Sequence, residues 1–132
     1  MFLLDTNILT AIEKQDIYLM KSISKESDSN ICTSVFCVSE TWFGIEKLIE
    51  SHKKDKLTIF FEQFFQEILI LDYDYKAAII FSKQKAELQK IGKSIEDFDL
   101  LIASTAIAHD CTLVTRNLKH FQNIDNLITA TW

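Results

Sequence analysis

The chain starts with a short apolar strand that is followed directly by a carboxylate. Residues 2–4 are Phe, Leu and Leu, and a strand that is apolar at successive positions is typical of a parallel sheet covered on both faces. Asp5 follows at once, and parallel sheets bind ligands beyond the carboxyl ends of their strands. Asp5 is therefore expected either at a binding crevice or simply as the N-cap of the next helix, because Asp caps helices well.

Extended and helical patterns alternate along the remaining chain, which favours an α/β sandwich with a parallel sheet. Further strands are predicted at 31–33, 68–71, 112–115 and 127–132. Helices are predicted over 8–20, 35–51, 54–66, 76–91 and 97–108, with a turn or short helix over 116–121. The 132 residues suit one domain spanning 1–132, without a linker, repeat or low-complexity segment.

Composition narrows the class of protein. Three cysteines without CxxC spacing indicate neither a disulfide framework nor a zinc site, and we expect buried thiols in a reducing cytoplasm. No run approaches the roughly 18 apolar residues of a membrane span, and no basic leader precedes an apolar stretch, so we expect no membrane association or export. The formal charge of −5 argues against a generally basic nucleic-acid surface, but not against a nuclease whose acids recruit cations.

Glu40 is the second informative acid. Its helical neighbours at three and four residues are Phe36, Cys37, Phe43 and Gly44, none of which is cationic. A charge surrounded by such neighbours needs a partner, because burying an unpaired charge is costly. Glu40 is thus either a ligand for a cation or an isolated structural glutamate.

Two further segments with polar residues complete the pattern. Glu96, Asp97 and Asp99 precede an apolar helix whose N-terminus explains one or two acids but not easily three, and Asp99 lies nearest the apolar run. Asn117 follows the strand at 112–115, where it can orient a water or a ligand or merely form a turn. Three carboxylates brought close together would repel each other unless a cation neutralised them, and Mg²⁺ prefers such oxygen ligands.

The histidines do not suggest a second kind of metal site. They lack the short spacing of zinc ligands, and all three are interpreted mostly as surface residues: His52, His109 and His120.

These residues, in this order, resemble the PIN-domain nucleases, and specifically the VapC-type toxins of bacterial toxin–antitoxin pairs. The resemblance covers nearly the whole chain and is carried by four segments: Leu4-Asp5-Thr6-Asn7-Ile8-Leu9, Ser39-Glu40 with Phe43-Gly44-Ile45, Phe98-Asp99-Leu100-Leu101-Ile102-Ala103, and Leu113-Val114-Thr115-Arg116-Asn117 with His120-Phe121. It implies a three-layer sandwich with a five-stranded parallel sheet ordered 3-2-1-4-5.

The resemblance also implies an activity, which is hydrolysis of RNA phosphodiesters with Mg²⁺ or Mn²⁺. Asp5 and Asp99 would hold the ion, and Glu40 would ligate it through water or position and deprotonate the attacking water. Asn117 stands where many PIN domains carry a fourth acid, so the number of ions stays open. The expected substrate-binding residues are Arg116 and Lys119, as phosphate contacts, with Thr6, Asn7 and Thr115.

The same resemblance implies two protein partners, a second copy of the chain and a VapB-type antitoxin. Such a partner lays a helix or extended segment along an apolar groove. The aromatic cluster Phe60, Phe61, Phe64 and Phe65 is a candidate for that groove, although core packing would use most of these side chains.

Other functions fit less well. A receiver-type phosphoacceptor module would need an acidic pair after the first strand, where this chain has Thr6-Asn7 after Asp5. A haloacid-dehalogenase-like phosphatase would need a second aspartate at position 7. A housekeeping PIN nuclease and a PIN-like fold that only binds RNA remain open alternatives.

Overall fold

The computed structural model describes residues 1–132 and consists of a sheet flanked by helices. The five strands are β1 (Phe2–Leu4), β2 (Ile31–Ser34), β3 (Leu69–Leu71), β4 (Thr112–Val114) and β5 (Thr129–Ala130). The seven α-helices are α1 (Thr6–Glu13), α2 (Ile17–Ile23), α3 (Val35–Glu46), α4 (His52–Glu67), α5 (Tyr75–Lys90), α6 (Asp97–Ala108) and α7 (Leu118–Phe121). A single turn of 3-10 helix, Asp28–Asn30, precedes β2.

The sheet is parallel throughout, and its strands are ordered β3-β2-β1-β4-β5. This confirms the fold class and the strand order. Leu4 pairs with Val114, so β1 and β4 end side by side at the centre of the sheet. The chain order reverses between these two strands, and this reversal is the switch point where open α/β sheets form their binding crevice.

The core is built from both faces of the sheet. Leu3 and Leu4 of β1 are fully buried, as expected for a strand covered by helices on both sides. The helix α6 is buried along most of its length, which confirms the interpretation of its apolar sequence. Phe61 of α4 joins this core, and Phe60, Phe64 and Phe65 pack against it while partly exposed.

The predicted helix over 8–20 is wrong as a single element. Gln15 adopts a left-handed backbone with φ 54°, which ends α1 and lets Asp16 cap a separate helix α2. Ile17 matches the helical spacing of α1 but is 79 % exposed, because it lies beyond this break. Apolar periodicity alone could not locate the change of direction.

The third helix is shorter than predicted. It ends at Glu46 rather than near residue 51, and Ile49, inside the predicted range, is 86 % exposed. Its fully buried residues are Cys37, Thr41 and Ile45. Polar Thr41 can be buried because its hydroxyl donates a 2.8 Å bond to the Cys37 carbonyl oxygen.

Gly92, which follows α5, has φ 66°, the left-handed conformation in which glycine often ends a helix. All three cysteines are buried and free. None of the helices combines the length and the hydropathy needed to span a bilayer.

Candidate active site

Asp5 is both a helix cap and a member of the central crevice. Its Oδ1 accepts a 2.8 Å bond from the Thr6 amide at the start of α1. Its Oδ2 accepts 2.6 Å bonds from the Thr115 hydroxyl and from the Asn7 side-chain amide. The side chains after β1 and β4 therefore meet at the sheet edge, and the two interpretations of Asp5 are not alternatives.

The Asp5 carboxylate is buried without a cationic partner. Asp5 is 5 % exposed, and no lysine, arginine or histidine lies within salt-bridge distance of it or of Glu40. Burial raises the pKa of Asp5 above its ordinary value, the hydrogen bond from Thr115 opposes this, and the charge of Asp99 adds to it. The site thus retains negative charge that the protein itself does not neutralise.

Glu40 reaches the same site from α3. Its Oε2 accepts a 2.5 Å bond from the Thr6 hydroxyl. Burial raises the pKa of Glu40, the Thr6 bond lowers it, and the charges of Asp5 and Asp99 raise it again. This mutual effect indicates that the three acids occupy one electrostatic neighbourhood, although they lie on three separate elements.

Asp99 lies in the first turn of α6 and contacts α7. Its Oδ2 is 2.8 Å from Nδ1 of His120, and the Asn117 side-chain nitrogen is 3.0 Å from the same ring atom. Because a carboxylate accepts hydrogen bonds, the bond to Asp99 places the proton on Nδ1 of His120.

His120 lies at the surface, as interpreted, but the interpretation missed its role. Its ring is half exposed and contacts an acid of the site. The sequence held a signal for this role of His120, because Asn117 and His120 are three residues apart and face the same way at the start of α7. The short spacing of zinc ligands does not reveal a histidine that contacts a carboxylate rather than a metal ion.

Hydrogen bonds connect most of the predicted site residues. Thr6 joins Glu40 to Asp5, and Thr115 joins Asp5 to the backbone amide of Asn117 at 3.0 Å. The Asn117 side chain then lies against His120, which contacts Asp99. The residues after β1 and β4 are thereby joined to Glu40 in the middle of α3, and Asp99 at the start of α6 is joined to His120 of α7.

Three predicted substrate-binding residues have positioning contacts instead. Thr115 is 0 % exposed and donates to Asp5, so it does not face a substrate. The Asn7 amide donates to Asp5 and to Thr115, and its oxygen accepts from the Arg116 backbone at 3.0 Å. Thr6 directs its hydroxyl at Glu40. These polar groups orient the acids.

The two predicted phosphate contacts differ from each other. The Arg116 guanidinium lies 2.9 Å from Asp16, at the start of α2, so it is already paired. The Lys119 side chain is exposed, has no carboxylate within salt-bridge distance and lines a cleft beside Asp99. Lys119 is thus available to contact a substrate phosphate, whereas Arg116 must leave Asp16 before it can do so.

The donor set fits a hard divalent cation. Asp5, Glu40 and Asp99 offer carboxylate oxygens, the ligands that Mg²⁺ and Mn²⁺ prefer, and two of the three lack any cationic neighbour. No group of three or more His, Cys, Asp or Glu side chains is placed to hold an ion by itself. Mg²⁺ commonly keeps several waters and takes only one or two carboxylates.

Known proteins share this architecture along nearly the whole chain. Ribonuclease VapC2 of Rickettsia felis is 35 % identical, over 99 % of this chain and 97 % of its own. The tRNA(fMet)-specific endonuclease VapC of Shigella flexneri is 30 % identical, over 99 % and 97 %. The crystal structure of VapBC2 from Rickettsia felis bound to a promoter DNA fragment matches with a TM-score of 0.89 and 33 % identity, over 99 % and 98 %.

A second solved complex shows the same fold at lower identity. FitAcB from Neisseria gonorrhoeae matches with a TM-score of 0.89 and 26 % identity, over 98 % of this chain and 96 % of its own. The PIN domain model matches residues 2–127, which include every acid of the site. This chain belongs to the PIN domain family, among the VapC ribonucleases.

Proposed function

We propose that residues 1–132 act as one PIN domain, the toxin of a VapBC-type pair and a divalent-metal-dependent endoribonuclease. One observation carries the proposal: Thr6 joins Glu40 to Asp5 by hydrogen bonds, the charges of Asp5 and Asp99 both raise the pKa of Glu40, and neither Asp5 nor Glu40 is neutralised by a basic side chain. Relatives named ribonuclease VapC support the substrate class, and neighbours solved as VapBC complexes support the assignment as a toxin.

In this proposal Asp5 and Asp99 would hold a Mg²⁺ or Mn²⁺ ion, and Glu40 belongs to the same acid site. When bound, such an ion supplies positive charge that offsets the acids and the charge developing on the phosphate. Thr115 and Asn7 fix the Asp5 oxygens, and His120 fixes Asp99, so the carboxylates are oriented before substrate arrives.

Glu40 has the properties of a residue that handles a proton. Its raised pKa moves it towards the working pH, which favours general base catalysis, and Thr6 fixes the orientation of one of its oxygens. We assign it to position the attacking water and accept its proton. The water oxygen bonds to phosphorus as the bond from phosphorus to the 3′ oxygen breaks, and the leaving 3′ oxygen takes a proton from solvent. No covalent enzyme intermediate is formed.

The VapBC neighbours also support a protein partner. An apolar groove of about 250 Å³ lies between α2 and α4, with Ile12, Met20, Ile23 and Phe64 among its lining residues. We propose that a VapB-type antitoxin lays an apolar segment along it, and that two copies of this chain pair as a homodimer.

RNA cleavage in a defined metal buffer tests the function. Purified protein is incubated with total cellular RNA in EDTA and then with added Mg²⁺ or Mn²⁺. We expect cleavage only with the divalent ion, and loss of cleavage when the product of a neighbouring small reading frame is co-purified. Cleavage in EDTA would contradict the metal role, and the absence of any such reading frame would favour a housekeeping nuclease.

A further inference from the structure

A polar cleft of about 570 Å³ opens directly beside the acid site. The segment 92–96, which follows α5, forms one wall, and residues from 119 to 123 form the other. Asp99 lines both the cleft and the acid site, so a molecule in the cleft would touch the catalytic centre. A volume of this size is within the range of about 300–1,000 Å³ typical of small-ligand sites.

The wall nearest α5 is held in a fixed conformation. The Lys93 amide donates a 2.9 Å bond to the Leu88 carbonyl oxygen, and the Gly92 amide donates a 3.1 Å bond to that of Gln89. With Gly92 at φ 66°, this is the Schellman arrangement that ends a helix. It fixes the point from which the Lys93 side chain leaves the backbone.

Both walls carry an exposed lysine that has no acidic partner. Neither Lys93 nor Lys119 lies within salt-bridge distance of a carboxylate, although Glu96 and Asp99 line the same cleft. By contrast, Lys85 on α5 is paired with an acid at 2.8 Å. Two free ammonium groups beside a cation-binding acid are suited to a ligand that carries more than one negative charge.

The opposite wall also offers free hydrogen-bonding groups. His120 uses Nδ1 at Asp99 and has no protein partner at Nε2. The side-chain amides of Gln122 and Asn123 line the cleft and make no hydrogen bond within the protein. Amides of this kind can both donate to and accept from the edge of a base.

We propose that this cleft binds the nucleotide of the RNA strand that adjoins the cleaved phosphodiester. Lys93 and Lys119 contact its phosphates from opposite walls, and Gln122 and Asn123 contact its base. The inference rests on the proposed ribonuclease function and adds a location for the substrate strand.

RNA binding by cleavage-inactive protein tests the cleft. In an Asp5→Asn background, Lys93→Gln and Lys119→Gln are compared with Lys83→Gln, which removes an equally exposed lysine of α5 outside the cleft. The probe is a fluorescein-labelled single-stranded RNA of about 12 nucleotides, followed by anisotropy over a series of KCl concentrations. Circular dichroism checks that each variant is folded.

We expect each cleft variant to weaken binding several-fold and to reduce the slope of log affinity against log salt by about 0.7, the change for one lost contact to single-stranded phosphate. Lys83→Gln should leave both quantities unchanged. Unaltered slopes in the cleft variants, equal losses in all three variants, or no RNA binding would overturn the proposal.

Cleavage assays separate this inference from the proposed function. In otherwise unaltered protein, Lys93→Gln should raise KM for the same RNA and leave kcat nearly unchanged, since the lysine contributes binding and no chemistry. If the parent protein cleaves RNA and Lys93→Gln has the parent KM, the cleft inference fails and the function stands. If the parent protein does not cleave RNA, the proposed function itself fails.

Discussion

The hydroxyl of Thr6 donates a 2.5 Å hydrogen bond to Oε2 of Glu40, 34 residues further along the chain. Thr6 is also the first residue of α1, and its backbone amide donates a hydrogen bond to the side chain of Asp5, which caps that helix. The turn that delivers Asp5 at the end of β1 therefore orients a second acid on α3. This arrangement couples the geometry of the two carboxylates.

Thr6→Val removes that hydroxyl while keeping the shape of the side chain. Since the lost bond lowers the pKa of Glu40, the pKa rises further and the acid limb of the rate–pH profile moves to higher pH. We expect kcat/KM near neutral pH to fall about tenfold, as is usual when a residue supporting a ligand is removed.

The matched control for this change is Thr10→Val on the same helix. The Thr10 hydroxyl bonds only to the Thr6 carbonyl oxygen and contacts no acid. Its profile should coincide with that of the parent protein. A Thr6→Val enzyme with an unshifted acid limb would show that the hydroxyl does not tune Glu40.

Metal ions should stabilise the protein in a pH-dependent way. The raised pKa of Asp5 and of Glu40 means that their ionised forms destabilise the metal-free fold, so the contribution of these two groups to stability is most favourable at low pH and is lost as pH rises above their ordinary pKa values of 3.8 and 4.5. Added Mg²⁺ should restore stability near neutral pH, by about 1.4 kcal/mol at tenfold excess over Kd.

Thermal unfolding with EDTA and with Mg²⁺ measures this effect. The increase in Tm should be large at about pH 7 and small at about pH 4.5, where protons compete for the same oxygens. K⁺ at matched ionic strength is the control. An increase of equal size at both pH values would argue against binding to these acids.

His120 should act through Asp99. His120→Ala removes the donor beside that carboxylate and should weaken Mn²⁺ binding about tenfold, as for other residues that orient metal ligands. His120→Asn retains a nitrogen donor near the position of Nδ1 and should recover most of the affinity. Electron paramagnetic resonance of free Mn²⁺ measures it directly, and His52→Ala, an exposed histidine at the start of α4, should behave as the parent.

Arg116 distinguishes a structural ion pair from a substrate contact. Its guanidinium is held by Asp16 at 2.9 Å. If Arg116 moves to the RNA phosphate, Arg116→Gln raises KM several-fold, whereas Asp16→Asn, which still caps α2 but releases the guanidinium, does not raise it. A rise in KM for both variants would mean that the ion pair only positions the segment around Arg116, and that Arg116 does not contact the RNA.

Sequence patterns identified the sheet and its acids because each depends on local chemistry. The apolar run of β1 is typical of a buried strand, Asp5 stood out because it follows that strand at once, and Glu40 stood out because its helical neighbours are not cationic. The break at Gln15 was not visible, because a glutamine rather than the usual glycine takes the left-handed position in the local hydrogen-bond pattern that ends α1. His120 was missed because its role depends on a contact with Asp99, 21 residues away.

The most direct test of the account is RNA cleavage by Asp5→Asn with Mg²⁺. Asparagine still caps a helix, so circular dichroism should match the parent protein, while one charged ligand is lost from the site. Asp74→Asn, a change at the cap of α5, is the matched control. We expect cleavage of total cellular RNA and growth inhibition to disappear in Asp5→Asn and to persist in Asp74→Asn. Cleavage by Asp5→Asn at the parent rate would contradict the assignment of this site.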